Sequence, residues 1–246
     1  MRLLLSGEGP SDIGGISTGL QGREFVAGPM AHIMDKIIVS VLDFSPIAAD
    51  CVDHVSRPAL AAKAKSMPRK PPMLLPGVKR PAGYAGHLLQ AVALGKCAQE
   101  LATEHNDAVV SVLFRDSDGT NSDDLKRWEN IVSSIEYGLS MSGARFGVAM
   151  VPKPKQESWL VCAFKRIDPY LNCAFLERAS GNDSSPNSLK GQLDDCFEAA
   201  LATQDMTELV RESFDWARMD MPSFKVFSDS LRKACNDVYG LTSAAY

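Results

Sequence analysis

The sequence predicts an α/β protein with a mostly parallel central sheet flanked by helices. Three observations predict it. Residues 108–118, AVVSVLFRDSD, form an apolar run of the kind buried on both faces of a parallel sheet, and the run stops abruptly at Asp116 and Asp118. Helical periods precede and follow it, the pattern of a crossover connection. Residues 2–6 and 145–151 are further apolar runs, each ending in turn-forming residues.

Taken in order, residues 2–6 read as a short strand, followed by the turn-rich GEGPSD that places Glu8 just beyond its end. The glycine-rich stretch 13–25 reads as a loop. Gly28-Pro29-Met30 opens a helix to about Lys36, and residues 37–42 are a strand or the continuation of that helix. From 48 to 81 the composition changes: Lys63, Lys65, Arg69, Lys70, Lys79 and Arg80 alternate with Pro68, Pro71, Pro72, Pro76 and Pro81. Proline opposes an ordinary helix or central strand there, so the segment is expected to be a solvated loop or a phosphate-contacting arm.

Residues 83–105 carry Leu88, Leu89, Val92, Ala93, Cys97 and Leu101 at helical spacing. The buried strand follows. Ser122 then caps a helix bearing Leu125, Trp128, Ile131, Val132 and Ile135. The strand at 145–151 leads into the turn PKPK and a helix beginning QESWL. Beyond a Gly/Asn/Asp/Ser/Pro loop at 181–187, helices are expected at 189–203, 206–217 and 223–238. Trp159, Phe224 and Phe227 belong to the core in this reading. The organisation is an α/β domain over 1–165, with an insertion at about 45–82, and a helical region over 166–246 packed on the sheet.

The 246 residues, 45% hydrophobic and 23% charged, suit a soluble globular protein with a sizeable core. The formal net charge of -4 provides no overall basic field, so nucleic-acid binding requires a local patch. No apolar run approaches the roughly 20 residues that span a bilayer, and MRLLL lacks the rest of a signal peptide, so a cytoplasmic location is expected. Cys51, Cys97, Cys162, Cys173, Cys196 and Cys235 form no C-x-x-C pair and are expected to be buried, reduced thiols. His32, His54, His87 and His105 form no catalytic spacing.

Asp116 and Asp118 point the same way if the strand persists, and two converging carboxylates repel unless a cation such as Mg²⁺ or Mn²⁺ lies between them. Glu8 and Glu157 stand beyond other strands, completing a set of acids at strand ends. LLLSGEGPSD, VLFRDSDG and VPKPKQESWL together resemble the Toprim domain of topoisomerases, primases and overcoming-lysogenization-defect nucleases. The order of GEGPSD, GREF, GPM, RDSDG, PKPKQESWL, SSPNSLK and MPSFKVF is similar to that of small stand-alone Toprim-like proteins encoded near ATPases in bacteria. That resemblance implies a metal-dependent nuclease in antiphage defence, with an ATPase partner and DNA or RNA as substrate. It makes Glu8 the general base or acid and Asp116 and Asp118 metal ligands. Glu157 would be a further metal or orienting ligand, Asp12 a support, and Lys153 or Lys155 a counter-charge for phosphate, alongside Arg69, Lys70, Lys79 and Arg80. The long interval between Glu8 and Asp116 departs from a compact Toprim core and implies the insertion. No tyrosine is marked as a strand-rejoining nucleophile, which favours hydrolysis.

DSDGT also spells the signature of haloacid-dehalogenase-type phosphatases, with Asp116 as phosphoryl acceptor and Asp118 as acid/base, although here it falls late in the chain. A non-catalytic Toprim-like interaction subunit is the third alternative. An EF-hand is excluded because Gly119 occupies the fourth loop position where the sixth is required.

Overall fold

The computed structural model describes residues 1–19, 22–67, 85–117, 125–197 and 200–240. Asp118, Arg69, Lys70, Lys79 and Arg80 lie outside the described residues. The chain opens with β1 (Arg2–Ser6), the antiparallel pair β2 (Gly14–Gly19) and β3 (Gly22–Ala27), and helix α1 (Pro29–Leu42). Strand β4 (Val52–His54) and helices α2 (Arg57–Ser66) and α3 (Ala85–His105) follow. Then come β5 (Val109–Phe114), α4 (Leu125–Ser142), β6 (Phe146–Met150) and α5 (Gln156–Phe164). Helices α6 (Leu189–Asp194), α7 (Thr203–Ser213) and α8 (Pro222–Val238) complete the described elements, with 3-10 turns at Ala174–Arg178 and Trp216–Arg218.

The central sheet is parallel, in the order β4-β1-β5-β6. Alternation along its strands divides the apolar side chains between two faces. Leu3, Leu5, Val112, Phe114, Val148 and Met150 face a core shared with α1, α5, α7 and α8. Leu4, Val109, Leu113 and Ala149 face a second core under α2, α3 and α4. All six residues of β5 are buried, as expected of a central strand covered on both sides. Trp159 of α5 lies with its ring 5.0 Å from Phe224 and 5.6 Å from Phe227, and its indole N–H donates to Ser223 Oγ at 2.9 Å. The C-terminal helices thus close one face of the sheet.

Several local expectations are corrected. Stretch 13–25 is not a loop: β2 and β3 pair from Gly14 with Ala27 to Gly19 with Gly22. Its described side chains are largely exposed, so no buried apolar period marked it. Gly14 is required there, because at φ +92° a Cβ would lie 2.1 Å from the Val26 carbonyl oxygen. Residues 37–42 continue α1. Within the region expected to be a loop-rich insertion, β4 joins the sheet beside β1 and 57–66 form a helix packed on α3. The helix stops before Pro68, Pro71, Pro72, Pro76 and Pro81, which lie outside the described residues; Pro58 falls in its first turn, where a missing N–H costs nothing, and Ser56 Oγ accepts from Ala59 N as the cap. Helix α6 ends at Asp194, short of the expected 203.

The cysteines also differ from expectation. Cys162 and Cys173 form a disulfide with Cα atoms 5.5 Å apart, while Cys51, Cys97, Cys196 and Cys235 are free thiols. The Tyr170 N–H donates to the Cys162 carbonyl at 2.7 Å, turning the chain back so that Cys173 comes beside α5. Among the described residues no helix is long and apolar enough to cross a membrane.

Candidate active site

The strand order fixes where a site can form. From β1 the chain adds β4 on one side and, later, β5 on the other, so a topological switch point lies between β1 and β5. Ligands of open α/β sheets bind in the crevice at the carboxyl ends of such strands. Ser6 is in register with Leu113, so Glu8 and Asp116 leave neighbouring strands at nearly the same level. The Arg115 N–H still bonds to the Met150 carbonyl at 3.0 Å, and Ser117 N and Oγ then donate to the Pro154 carbonyl at 2.9 and 3.2 Å. These bonds tie the end of β5 to the turn that starts α5.

Gln156, the first residue of α5, joins two of the acids. Its backbone N–H donates to Asp116 Oδ1 at 3.0 Å and its side-chain amide to Asp12 Oδ1 at 2.7 Å. The helix N-terminus favours a carboxylate at that place. Ser158 Oγ bonds to the Lys153 and Lys155 carbonyls, holding the preceding turn. Glu157 is largely buried, which pushes its carboxyl above the usual range; Lys155 opposes the shift, and Asp183 and Asp12 reinforce it. Glu157 Oε2 is buried without a hydrogen-bond partner among the described residues.

The two lysines have protein partners. Lys155 Nζ pairs with Asp183 at 3.0 Å, and Lys153 Nζ lies 5.7 Å from the centre of the Trp128 ring. Positive charge near Glu8 comes from two arginines that the sequence reading did not single out. Arg57 lies 3.4 Å from Glu8 Oε2. Arg115 is buried at 1% exposure and donates to Gln90 Oε1 at 3.2 and 2.8 Å and to the Phe114 carbonyl at 2.5 Å, all neutral oxygens. Burial pushes its guanidinium down to about 10, against the pull of Glu8. His87 is held below the usual imidazole range by burial and then by the charges of Arg115, Arg57 and Arg127. The site therefore has an acidic strand-end pair set against a basic wall.

Of the acids expected to act together, Glu8, Asp116, Asp12 and Glu157 surround the β1, β5 and α5 termini, and Asp118 falls outside the described residues. Among the described residues, no three His, Cys, Asp or Glu side chains are already gathered as a metal cage. The donor chemistry nevertheless fits a hard divalent cation: Glu8 and Asp116 offer carboxylate oxygens at the switch point, and Glu157 offers an orphaned buried one. Gln156, Arg115 and Arg57 are the participants that sequence reasoning missed. Arg115 carried one usable signal, a charged residue set directly between an apolar strand and Asp116. Comparison of the chain with protein-family models, curated proteins and solved structures gives no match.

Proposed function

We propose that this protein is a metal-dependent nuclease that hydrolyses phosphodiester bonds in DNA or RNA. The observation that carries the reading is the placement of Glu8 and Asp116 at the carboxyl ends of adjacent parallel strands, beside Arg57 and the buried Arg115. Hydrolysis of a phosphodiester requires a base for the attacking water and positive charge for the phosphoryl oxygens. Glu8 takes the water proton, and Arg57, 3.4 Å from its Oε2, orients that carboxylate. Arg115 raises the positive potential at the phosphate without leaving the core. Asp116, with Asp118 and Glu157, would hold Mg²⁺ or Mn²⁺, which when bound polarises a phosphate oxygen and acidifies water. Gln156 fixes Asp116 and Asp12 relative to each other. The Toprim resemblance extends the proposal to cytoplasmic antiphage defence under the control of an ATPase partner.

The test is cleavage of supercoiled plasmid, single-stranded DNA and total tRNA with Mg²⁺ or Mn²⁺, comparing wild type with Glu8→Ala and Asp116→Ala. Metal-dependent cutting that disappears in both variants supports the assignment. Turnover of p-nitrophenyl phosphate that depends on Asp116 but not Glu8 would instead assign a phosphatase of the haloacid-dehalogenase type.

A further inference from the structure

Beside the acidic crevice lies a cleft of about 1060 Å³ that the catalytic scheme does not use. Its walls are the β2–β3 hairpin, the end of β4, the start of α2 and the start of α7. Two of its lining residues are chain neighbours of the candidate site. Pro10 lines it from the turn that carries Glu8, and Ser56 lines it immediately before Arg57, the partner of Glu8.

The walls combine two chemistries. Ile16 and Val26 both line the cleft, 37% and 55% exposed, and the hairpin register puts them on opposite faces, with Ile16 on the face of Phe25 and Arg23. His54 adds a flat ring, 6.1 Å from that of Phe25, and burial lowers its proton affinity so that it presents a neutral surface. Arg23 supplies positive charge, and Thr207 a hydroxyl on the opposite wall. A surface that reads duplex through its phosphates is rich in Lys and Arg. An unpaired strand instead offers base faces to apolar and flat side chains while a few cations follow its backbone.

We infer that this cleft binds unpaired nucleotides next to the scissile phosphate, making single-stranded nucleic acid the substrate class. The volume, about 1060 Å³, is at the upper end of the roughly 300–1,000 Å³ of small-ligand pockets and gives room for a short run of unstacked nucleotides. The occupant follows from the nuclease reading, on which the inference rests for its direction. Bases lie on Ile16 and His54, Arg23 on the same hairpin face as Ile16 meets a backbone phosphate, and the strand continues past Pro10 toward Glu8 and Asp116.

The experiment reads binding without cleavage. Full-length Glu8→Ala protein in EDTA is titrated against fluorescein-labelled oligothymidylate and oligouridylate, and against a labelled blunt duplex, with anisotropy as the signal. The test variants are Arg23→Ala and Val26→Glu, both at exposed hairpin positions, with Lys233→Ala on the far helix α8 as reference and circular dichroism as the folding check. The inference expects a single strand to bind at least about tenfold more tightly than duplex, and each cleft variant to weaken that binding by about tenfold. It is overturned if no single strand binds, if duplex binds equally well, or if folded Arg23→Ala and Val26→Glu bind like the reference. Cleavage by wild type with unaltered binding in both cleft variants would keep the nuclease and discard the cleft. Cleft-dependent binding in a wild type that cuts nothing would do the reverse.

Discussion

Arg115 and Gln90 offer a sharp test of how charge is held beneath the candidate site. The Arg115 side chain is buried, and its descent to about 10 corresponds, at about 1.4 kcal/mol per pH unit, to a desolvation cost on the order of 3 kcal/mol. Both protonation equilibria lie far above neutrality, so that cost is fully present at pH 7 and is relieved only as pH rises through the folded-state value. Gln90→Ala removes the acceptor of two guanidinium bonds and leaves the charge in place. The expected loss is about 1.5–3 kcal/mol, or roughly 5–10 °C in Tm for a chain of this size. Arg115→Met keeps most of the packed stem and removes the charge. It is expected to change stability by less than about 1 kcal/mol, because replacing a buried ion with an apolar group is often neutral. Urea unfolding followed by tryptophan fluorescence measures both. If Arg115→Met is as destabilising as Gln90→Ala, the guanidinium is a structural keystone and the account of it as a strained reserve of positive charge is wrong. If the account holds, Arg115→Met folds normally and cuts substrate poorly.

Other outcomes follow from the same geometry. Glu157→Gln should raise Tm at neutral pH, because burial favours the protonated carboxyl; the native state binds the extra proton, so stability falls as pH rises through the Glu157 titration, and the variant's advantage should vanish in acid. A thermal scan across pH decides it, and added Mg²⁺ should reverse the sign if Glu157 is a ligand. Gln156→Ala should cost about 1–2 kcal/mol through the lost bond to Asp12, while retaining the backbone bond to Asp116, as chemical denaturation will show. Trp159→Ala should cost about 3–5 kcal/mol, since the ring is wholly buried against Phe224 and Phe227. Denatured without reductant, the chain should expose the thiols of Cys51, Cys97, Cys196 and Cys235 to a thiol reagent and withhold Cys162 and Cys173.

The parts of the fold legible in the sequence were those whose burial writes a period. Strands β1, β5 and β6 are apolar runs because helices cover both faces, and α3 and α4 show their core stripe directly. The hairpin was illegible because its pairing relies on glycine geometry and its exposed side chains carry no alternation. Strand β4 is too short to announce itself and is defined by its neighbour β1. Within the site, Glu8 and Asp116 could be read from their positions after strands. Gln156 and Arg57 could not, because each matters through a residue distant in sequence: Gln156 through Asp12 and Asp116, Arg57 through Glu8. The disulfide was hidden for a similar reason, since only the turn at Tyr170 brings its two halves together.

The embedding of α5 has a practical corollary. Its first residue grips two acids, its middle is clasped by the aromatic rings of α8, and its distal half is stapled to the following loop through Cys162. A shortened protein ending after α5 would bare Trp159 and the apolar underside of the sheet to water, and the grip on Asp116 and Asp12 would slacken with it. Attempts to isolate a minimal catalytic fragment should therefore yield aggregation in place of activity, and useful cut points should be sought on the outer hairpin, away from the last helix.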